Sequence, residues 1–202
     1  MSLKTTPPNS AFAALLDDIE RCDVSPSSDE WHEFSAQCAE VRFEKGREIF
    51  GIGAVPEGLL FVSDGIAAAE LIIDDGRSII YRFFEAGQMC TTITAAWYGT
   101  ETADSIAAVA AVTGIVIPLE LWKATYLYGG NLGVYLRKKA LESLLFDKEL
   151  LRVKTLNSTA ASYDLLGTVH DRVLERVSQK DIARFVGVTP EGLSRFLKHR
   201  KP

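Results

Sequence analysis

The sequence predicts an α+β protein in three parts. A body of short strands is entered through helices, one long helix follows, and the chain closes in two short helices around a tight turn. Three observations predict this. Apolar periodicity switches from about 3.6 to 2 and back along the chain. Glycines at 46, 51, 53, 58, 65, 76, 87, 99 and 114 punctuate the middle stretch. Residues 178–202 carry two successive sets of helix start signals. The parts are expected at residues 1–130, 131–157 and 158–202.

Residues from about 9 to 40 read as helical, with Phe12, Leu15, Leu16 and Ile19 spaced for one face. The Ser25-Pro-Ser-Ser-Asp-Glu-Trp run ends one helix and caps the next, whose inward residues are Trp31, Phe34 and Cys38. From Val41 to Leu119 the pattern is β-like. Strands are expected at Leu59–Val62, Ala67–Ile73, Ser78–Phe84 and Ile106–Ile117, and Asp74-Asp-Gly76 supplies a hairpin turn. Short strands with frequent turn signals argue for a sandwich or small barrel. From Asn131 to about Asn157 the chain is helical again. Leu132, Leu136, Ala140, Leu144 and Leu151 form an apolar stripe, widened by Leu141, Leu145 and Leu150, and Arg137, Lys138, Lys139, Glu142, Lys148 and Glu149 form the outer face. Such a helix either packs on its own body or pairs with a second copy. A helical segment from Thr159 to about Leu166 then leads through residues 169–177 into the final pair.

That pair is the most informative stretch. Ser178 is placed to cap a helix with Asp181 three residues on. Ile182, Phe185 and Val186 form the inner face, and Gly187 stands where the helix must stop. Thr189 is the next N-cap, followed by Pro190, whose missing N–H costs nothing in a first turn. Leu193, Phe196 and Leu197 turn inward, leaving Glu191, Ser194, Arg195 and Lys198 on the opposite face. An arginine forks onto guanine O6 and N7, a glutamate accepts from cytosine N4, and a serine suits either kind of base edge. The segment is also basic. Lys180, Arg184, Arg195, Lys198, Arg200 and Lys201 against Asp181 and Glu191 give about +4 in a chain of net charge −5, so the remainder is near −9. A basic two-helix unit on an acidic body reads as a helix-turn-helix that contacts double-stranded DNA. Bases are expected to meet Glu191, Ser194 and Arg195, and the backbone Gln179, Lys180, Thr189, Lys198, Arg200 and Lys201. A dimer would read two half-sites, which favours self-pairing of the 131–157 helix.

Composition narrows the classes. Apolar residues make up 47% of the 202, enough for a sizeable core. No apolar run reaches membrane-span length, no signal-peptide core opens the sequence, and the scattered Cys22, Cys38 and Cys90 suit a reducing cytoplasm. A metal-dependent enzyme built on the β-body would need histidines in it. His32, His170 and His199 all lie outside, so neither catalysis, a metal, nor any other cofactor is expected.

In the order of its parts the chain resembles the Crp–Fnr family of bacterial transcription regulators. The likeness rests on Phe43-x-x-Gly46, Gly58-Leu-Leu-Phe-Val-Ser-Asp-Gly65, Asp75-Gly76, Arg82-Phe-Phe-x-x-Gly87 and the whole of residues 177–195. It implies a double-stranded β-helix (jelly-roll) sensor domain resembling cyclic-nucleotide-binding domains, a long dimerisation helix and a DNA-binding end. It also implies an effector pocket near Arg82, Met89, Cys90, Thr91, Thr92, Trp97 and Ser105, and RNA polymerase as a further contact. The Glu-x-x-Ser-Arg spacing resembles the fumarate–nitrate type of reader, which implies a half-site nearer TTGAT than TGTGA. Two departures stand out. Cyclic-nucleotide binders of this kind hold phosphate with Gly-Glu and Arg-Ser or Arg-Thr. Here Thr91 and Thr92 replace the first pair, and Ala103 and Asp104 precede Ser105 with no arginine. The expected effector is therefore an unknown small molecule other than a cyclic nucleotide. The sequence also stops just after the second helix, as in a compact wingless subgroup. The alternatives are a cyclic-nucleotide-responsive regulator with a divergent pocket and a ligand-binding module whose reader has degenerated. Effector binding on the β-roll is expected to shift the long helices and so the spacing of the two readers.

Overall fold

A computed structural model describes residues 10–73, 76–156, 158–169 and 171–200. Two helices, α1 (Ala11–Arg21) and α2 (Ser28–Ser35), open it, capped by Ser10 and Ser27, whose hydroxyls accept from the amides of Ala13 and Glu30. Six strands follow: β1 (Ala39–Phe43), β2 (Glu48–Phe50), β3 (Gly58–Ile72), β4 (Ser78–Phe84), β5 (Met89–Cys90) and β6 (Ser105–Pro118). Helix α3 (Ile93–Tyr98) interrupts the strands and α4 (Leu119–Tyr128) ends them.

All the strand pairs are antiparallel, and the two long strands run through both layers of a roll. The first half of β3 lies between β5 and the end of β6, with β1 on the far side of β6. Its second half lies between β4 and the start of β6, with β2 beyond. This is the expected jelly-roll, with one difference. The two strands expected at Leu59–Val62 and Ala67–Ile73 are a single 15-residue strand. It bends through register shifts between Val62 and Ala67, with Gly65 at φ 98° pressed against the carbonyl of Ala111, where a Cβ would come within 2.0 Å of the oxygen. Glycine and aspartate signal a bend and a break alike, so the sequence pattern alone predicts two strands here. Residues 39 and 40, read as the end of a helix, belong to β1. The hairpin turn is entered at Ile72 opposite Ser78 and includes Gly76, while Asp74 and Asp75 lie outside the described residues.

Three apolar clusters hold the molecule. Leu60, Val62, Ala67, Ala69, Phe84, Cys90, Ile106, Ala108 and Val112 fill the roll. Alternate residues of the same strands, Leu59, Phe61, Ile115 and Ile117, face α1, α2, α4 and the start of α5 (Asn131–Thr155). Ile66, Ala68, Ile80 and Phe83 face the end of α5 and the closing helices α6 (Thr159–Val169), α7 (Asp171–Arg176), α8 (Gln179–Val186) and α9 (Pro190–His199). The last helices therefore share a core with the sheet.

Helix α5 corrects the single stripe expected of it. Leu132, Tyr135, Leu136, Leu150 and Val153 are buried against the rest of the chain, whereas Leu141, Leu144, Leu145 and Leu151 are 55–68% exposed on another face. Lys139, expected outside, belongs to the inner face. Its ammonium lies 3.2 Å from Asp18 and 3.0 Å from Glu142, and the Tyr135 hydroxyl donates to Asp18 at 2.7 Å. The buried Asp18 carboxylate draws in a cation that periodicity alone assigns to solvent.

Candidate functional site

The closing helices are specified locally. Ser178 Oγ accepts from the Asp181 amide at 3.2 Å and donates to the Asp181 carboxylate at 2.7 Å, which starts α8. Gly187 ends it at φ 86°, its N–H donating to the Ala183 carbonyl. Thr189 Oγ1 accepts from the Gly192 amide at 3.1 Å, and Pro190 begins α9. Leu193 is fully buried, with Phe196 and Leu197 packed around it. Glu191, Ser194, Arg195 and Lys198 then line one shallow open depression together with Pro190. Glu191, Arg195 and Lys198 are exposed and Ser194 is half-buried.

Of the residues expected against a DNA backbone, Gln179, Lys180 and Lys198 are exposed. Thr189 is exposed but engaged as the cap. Arg200 is turned back: its guanidinium pairs with Asp164 and lies over the rings of Tyr163 and Phe196 at 5.2 and 5.6 Å. Lys201 lies outside the described residues. Arg184, part of the basic count, faces the β-roll, where it pairs with Glu70 and Ser78 from the sheet and with Asp181 at 3.1 Å. Arg176 adds a second link to the roll, 2.9 Å from Asp64. Phe185 tilts against Phe83 at 5.3 Å. The α8–α9 pair is thus fixed on the body with its polar face outward.

Between the roll and α5 lies a cavity of about 620 Å³. Arg82, Thr91 and Thr92 line it, and Met89 lines an adjoining cavity of about 270 Å³. Cys90, Trp97 and Ser105, expected at the pocket, are elsewhere. Cys90 lies inside the roll with no exposure, and burial pushes its thiol far above its usual range. Trp97 packs edge-on to Trp122 and Tyr126 at 5.8 and 6.1 Å. Ser105 donates to Glu70 at 3.3 Å. Alternation along a strand and the pitch of a short helix turn these side chains away from residues that neighbour them in sequence.

The centre of the cavity wall is Arg82, 6% exposed. Its guanidinium lies 2.5 Å from Asp147 and 3.1 Å from Ser143, both on α5, and over the rings of Phe84 and Phe146. Burial outweighs the attraction within this pair: it lowers the guanidinium's affinity for its proton and raises that of the Asp147 carboxyl. Asp104 also lines the cavity, held by the Tyr81 hydroxyl at 2.7 Å. Lys154 completes the wall from the end of α5, and burial lowers its ammonium to about 8. Asp147 and Lys154 escaped the sequence reading. Their one signal is that they stand two helical turns apart, flanking Leu150 and Leu151. Among the described residues no group of histidine, cysteine and acidic side chains is placed to hold a metal, and no helix is long and apolar enough to cross a membrane.

No protein-family model and no curated protein sequence matches this chain. Solved structures do. A protein from Eubacterium rectale, described as a transcriptional regulator of the Crp/Fnr family, superposes with a TM-score of 0.65 at 17% identity, over 86% of this chain and 83% of that one. FixK2 from Bradyrhizobium japonicum gives 0.64 at 16% identity, over 80% and 83%. The global regulator CLP of Xanthomonas campestris, described as responsive to c-di-GMP, gives 0.57 at 21% identity, over 86% and 91%. The chain has the Crp/Fnr fold. In that fold the cavity lies between jelly-roll and long helix, and the polar face of α9 lies at the other end of the same chain.

Proposed function

We propose that the chain is a transcriptional regulator that binds a palindromic DNA site as a homodimer, under control of an effector other than a cyclic nucleotide. The observation that carries this reading is the α9 face. Glu191 and Arg195 stand exposed beside half-buried Ser194, on a helix whose N-terminus is capped and whose opposite side is buried. That is the arrangement a recognition helix needs to enter a major groove with its base-contacting residues foremost. Lys180 and Lys198 flank the face and supply phosphate contacts.

The exposed leucines of α5 support self-association. Val134, Leu141 and Leu145, at spacings of seven and four, are exposed away from the roll, and Leu144 and Leu151 are exposed beside them at the edge of the cavities between α5 and the roll. Two such helices bury these side chains against each other and place the two readers on one side of a common axis. The body of the division is then a sensor through residue 130, a dimerisation helix over 131–157 and a reader over 158–202.

Asp104 argues against a cyclic nucleotide. Its carboxylate, fixed by Tyr81, stands with Ala103 before Ser105, at the positions where cyclic-nucleotide binders of this fold carry the arginine that holds the cyclic phosphate.

Electrophoretic mobility shift with duplexes drawn from promoter DNA tests the reading. The wild-type chain is expected to bind a subset of duplexes as a dimer of twice 22.2 kDa. Leu144→Glu is expected to sediment as a monomer and to bind weakly. Absence of any preferred duplex, or a Leu144→Glu variant that remains dimeric and binds as well as wild type, contradicts the proposal.

A further inference from the structure

Lys154 belongs to both sites. It lines the cavity from the last turns of α5, and its ammonium donates to the backbone carbonyl of Phe185 while lying 3.8 Å from the centroid of the Phe185 ring. That carbonyl is among the last of α8, which lack partners within the helix and carry the negative end of its dipole. Phe185 also contacts Phe83, the residue between the cavity-lining Arg82 and Phe84. One side chain therefore connects the cavity to the first helix of the reader.

Residues of the cavity wall hold donors that the chain does not use. Arg82 Nε and Thr92 Oγ1 have no partner among the described residues and are closed to solvent, on side chains that are more than nine-tenths buried, and Lys154 has protons beyond the one given to Phe185. Of the carboxylates on the wall, Asp147 is committed to Arg82 and Asp104 to Tyr81, while Glu101 is exposed. Phe84, Ile93, Leu150 and Leu151 make much of the remaining wall apolar. Unsatisfied donors among apolar walls fit a ligand with an apolar body and one end rich in acceptors. The carboxylates of Glu101, Asp104 and Asp147, set against Arg82 and Lys154, limit that end to a single negative charge, because a dianion would meet more carboxylates than cations.

We propose that the cavity takes a small organic monoacid with an apolar body, and that its carboxylate draws the Lys154 ammonium away from the Phe185 carbonyl, freeing α8 from α5. The proposal deepens the regulator reading and rests on it for its biological meaning. Binding and release are both measurable without DNA.

Octanoate is the probe, with 1-octanol as the neutral molecule of the same body. Titration calorimetry on the full chain measures affinity, and hydrogen exchange followed by mass spectrometry reports on residues 179–186. Octanoate is expected to bind about tenfold or more tightly than octanol and to speed exchange in α8. Lys154→Met is expected to weaken octanoate by a similar factor and to show the faster α8 exchange with no ligand. Lys148→Met, exposed on the same helix, is expected to match wild type in both. Four results overturn the proposal: no binding of octanoate at millimolar concentration, octanol binding as tightly as octanoate, Lys154→Met binding octanoate undiminished, or octanoate bound with α8 exchange unchanged. If Lys154→Met does not fold, the octanoate–octanol comparison and wild-type exchange decide. A failed octanoate test beside sequence-preferring DNA binding removes the Lys154 account and leaves the regulator reading. Ligand-driven release without DNA binding removes the regulator reading and leaves the Lys154 account.

Discussion

The α9 face and the cavity are assembled in opposite ways. The reader is held in shape by hydrogen bonds that span three to five residues: Ser178 with Asp181, Gly187 and Val188 with Ala183, Thr189 with Gly192. The cavity collects Arg82 from β4, Thr92 from the start of α3, Asp104 from the approach to β6, and Asp147 and Lys154 from α5. Its central bond, Arg82 to Asp147, spans 65 residues. A locally built face changes its chemistry by exchange of one exposed side chain while the fold stands. A cavity built across the chain couples its chemistry to the docking of α5 on the roll, as the proposed release of α8 requires.

Substitutions sharpen this contrast. Arg82→Ala removes a nearly buried guanidinium together with its packing on Phe84 and Phe146, and loosens α5 from β4. It should cost about 2–4 kcal/mol in urea unfolding, the upper end of the range for a broken buried pair being reduced because Asp147 is half exposed. Arg195→Ala should leave unfolding within about 0.5 kcal/mol of wild type. It should weaken binding to the preferred duplex by about 1–3 kcal/mol and relax one base position. If Arg195→Ala unfolds the chain, or Arg82→Ala leaves stability untouched, the contrast between local and distributed construction is wrong. Gly187→Ala forces a Cβ into the left-handed region that ends α8 and should cost about 1 kcal/mol of stability, read by the same urea titration.

The smallest effect concerns pH. Burial lowers the Lys154 ammonium from 10.5 to about 8. Between those values the unfolded chain keeps a proton that the folded chain has released. The contribution of Lys154 to stability therefore rises with pH across that window and is flat below it. Urea titrations at pH 7.5 and pH 10 should show this rise as a difference between wild type and Lys154→Met. Equal pH dependence in the two chains would place Lys154 in water rather than against Phe185.

The same contrast explains what the sequence discloses. Caps, the stop glycine and the inner face of α8 and α9 are all encoded within a few residues of where they act, so the closing helices are legible down to the placing of Glu191, Ser194 and Arg195 on one outer face. The jelly-roll is legible in β4 and β6 and in β3 on either side of its bend, yet short β2 and β5 carry too few residues for a period. Helix α4 lies directly beyond β6 with an apolar composition that reads equally as strand. The cavity is less legible. Cys90 and Ser105 neighbour its wall in sequence and point elsewhere, while Asp147 and Lys154 reach it from 65 residues or more beyond Arg82. Nor does spacing separate the two apolar faces of α5, because the residues buried on the roll and those left exposed interleave along one helix.

Selection of bound duplexes from a pool of random double-stranded DNA, with wild type and Arg195→Ala in parallel, tests the central claim most directly. The account predicts an inverted repeat whose half-sites are centred about 34 Å apart, one turn of DNA, with one base position in each half losing its preference in the variant. An enriched pool without two-fold symmetry, or one that Arg195→Ala leaves unchanged, would contradict it.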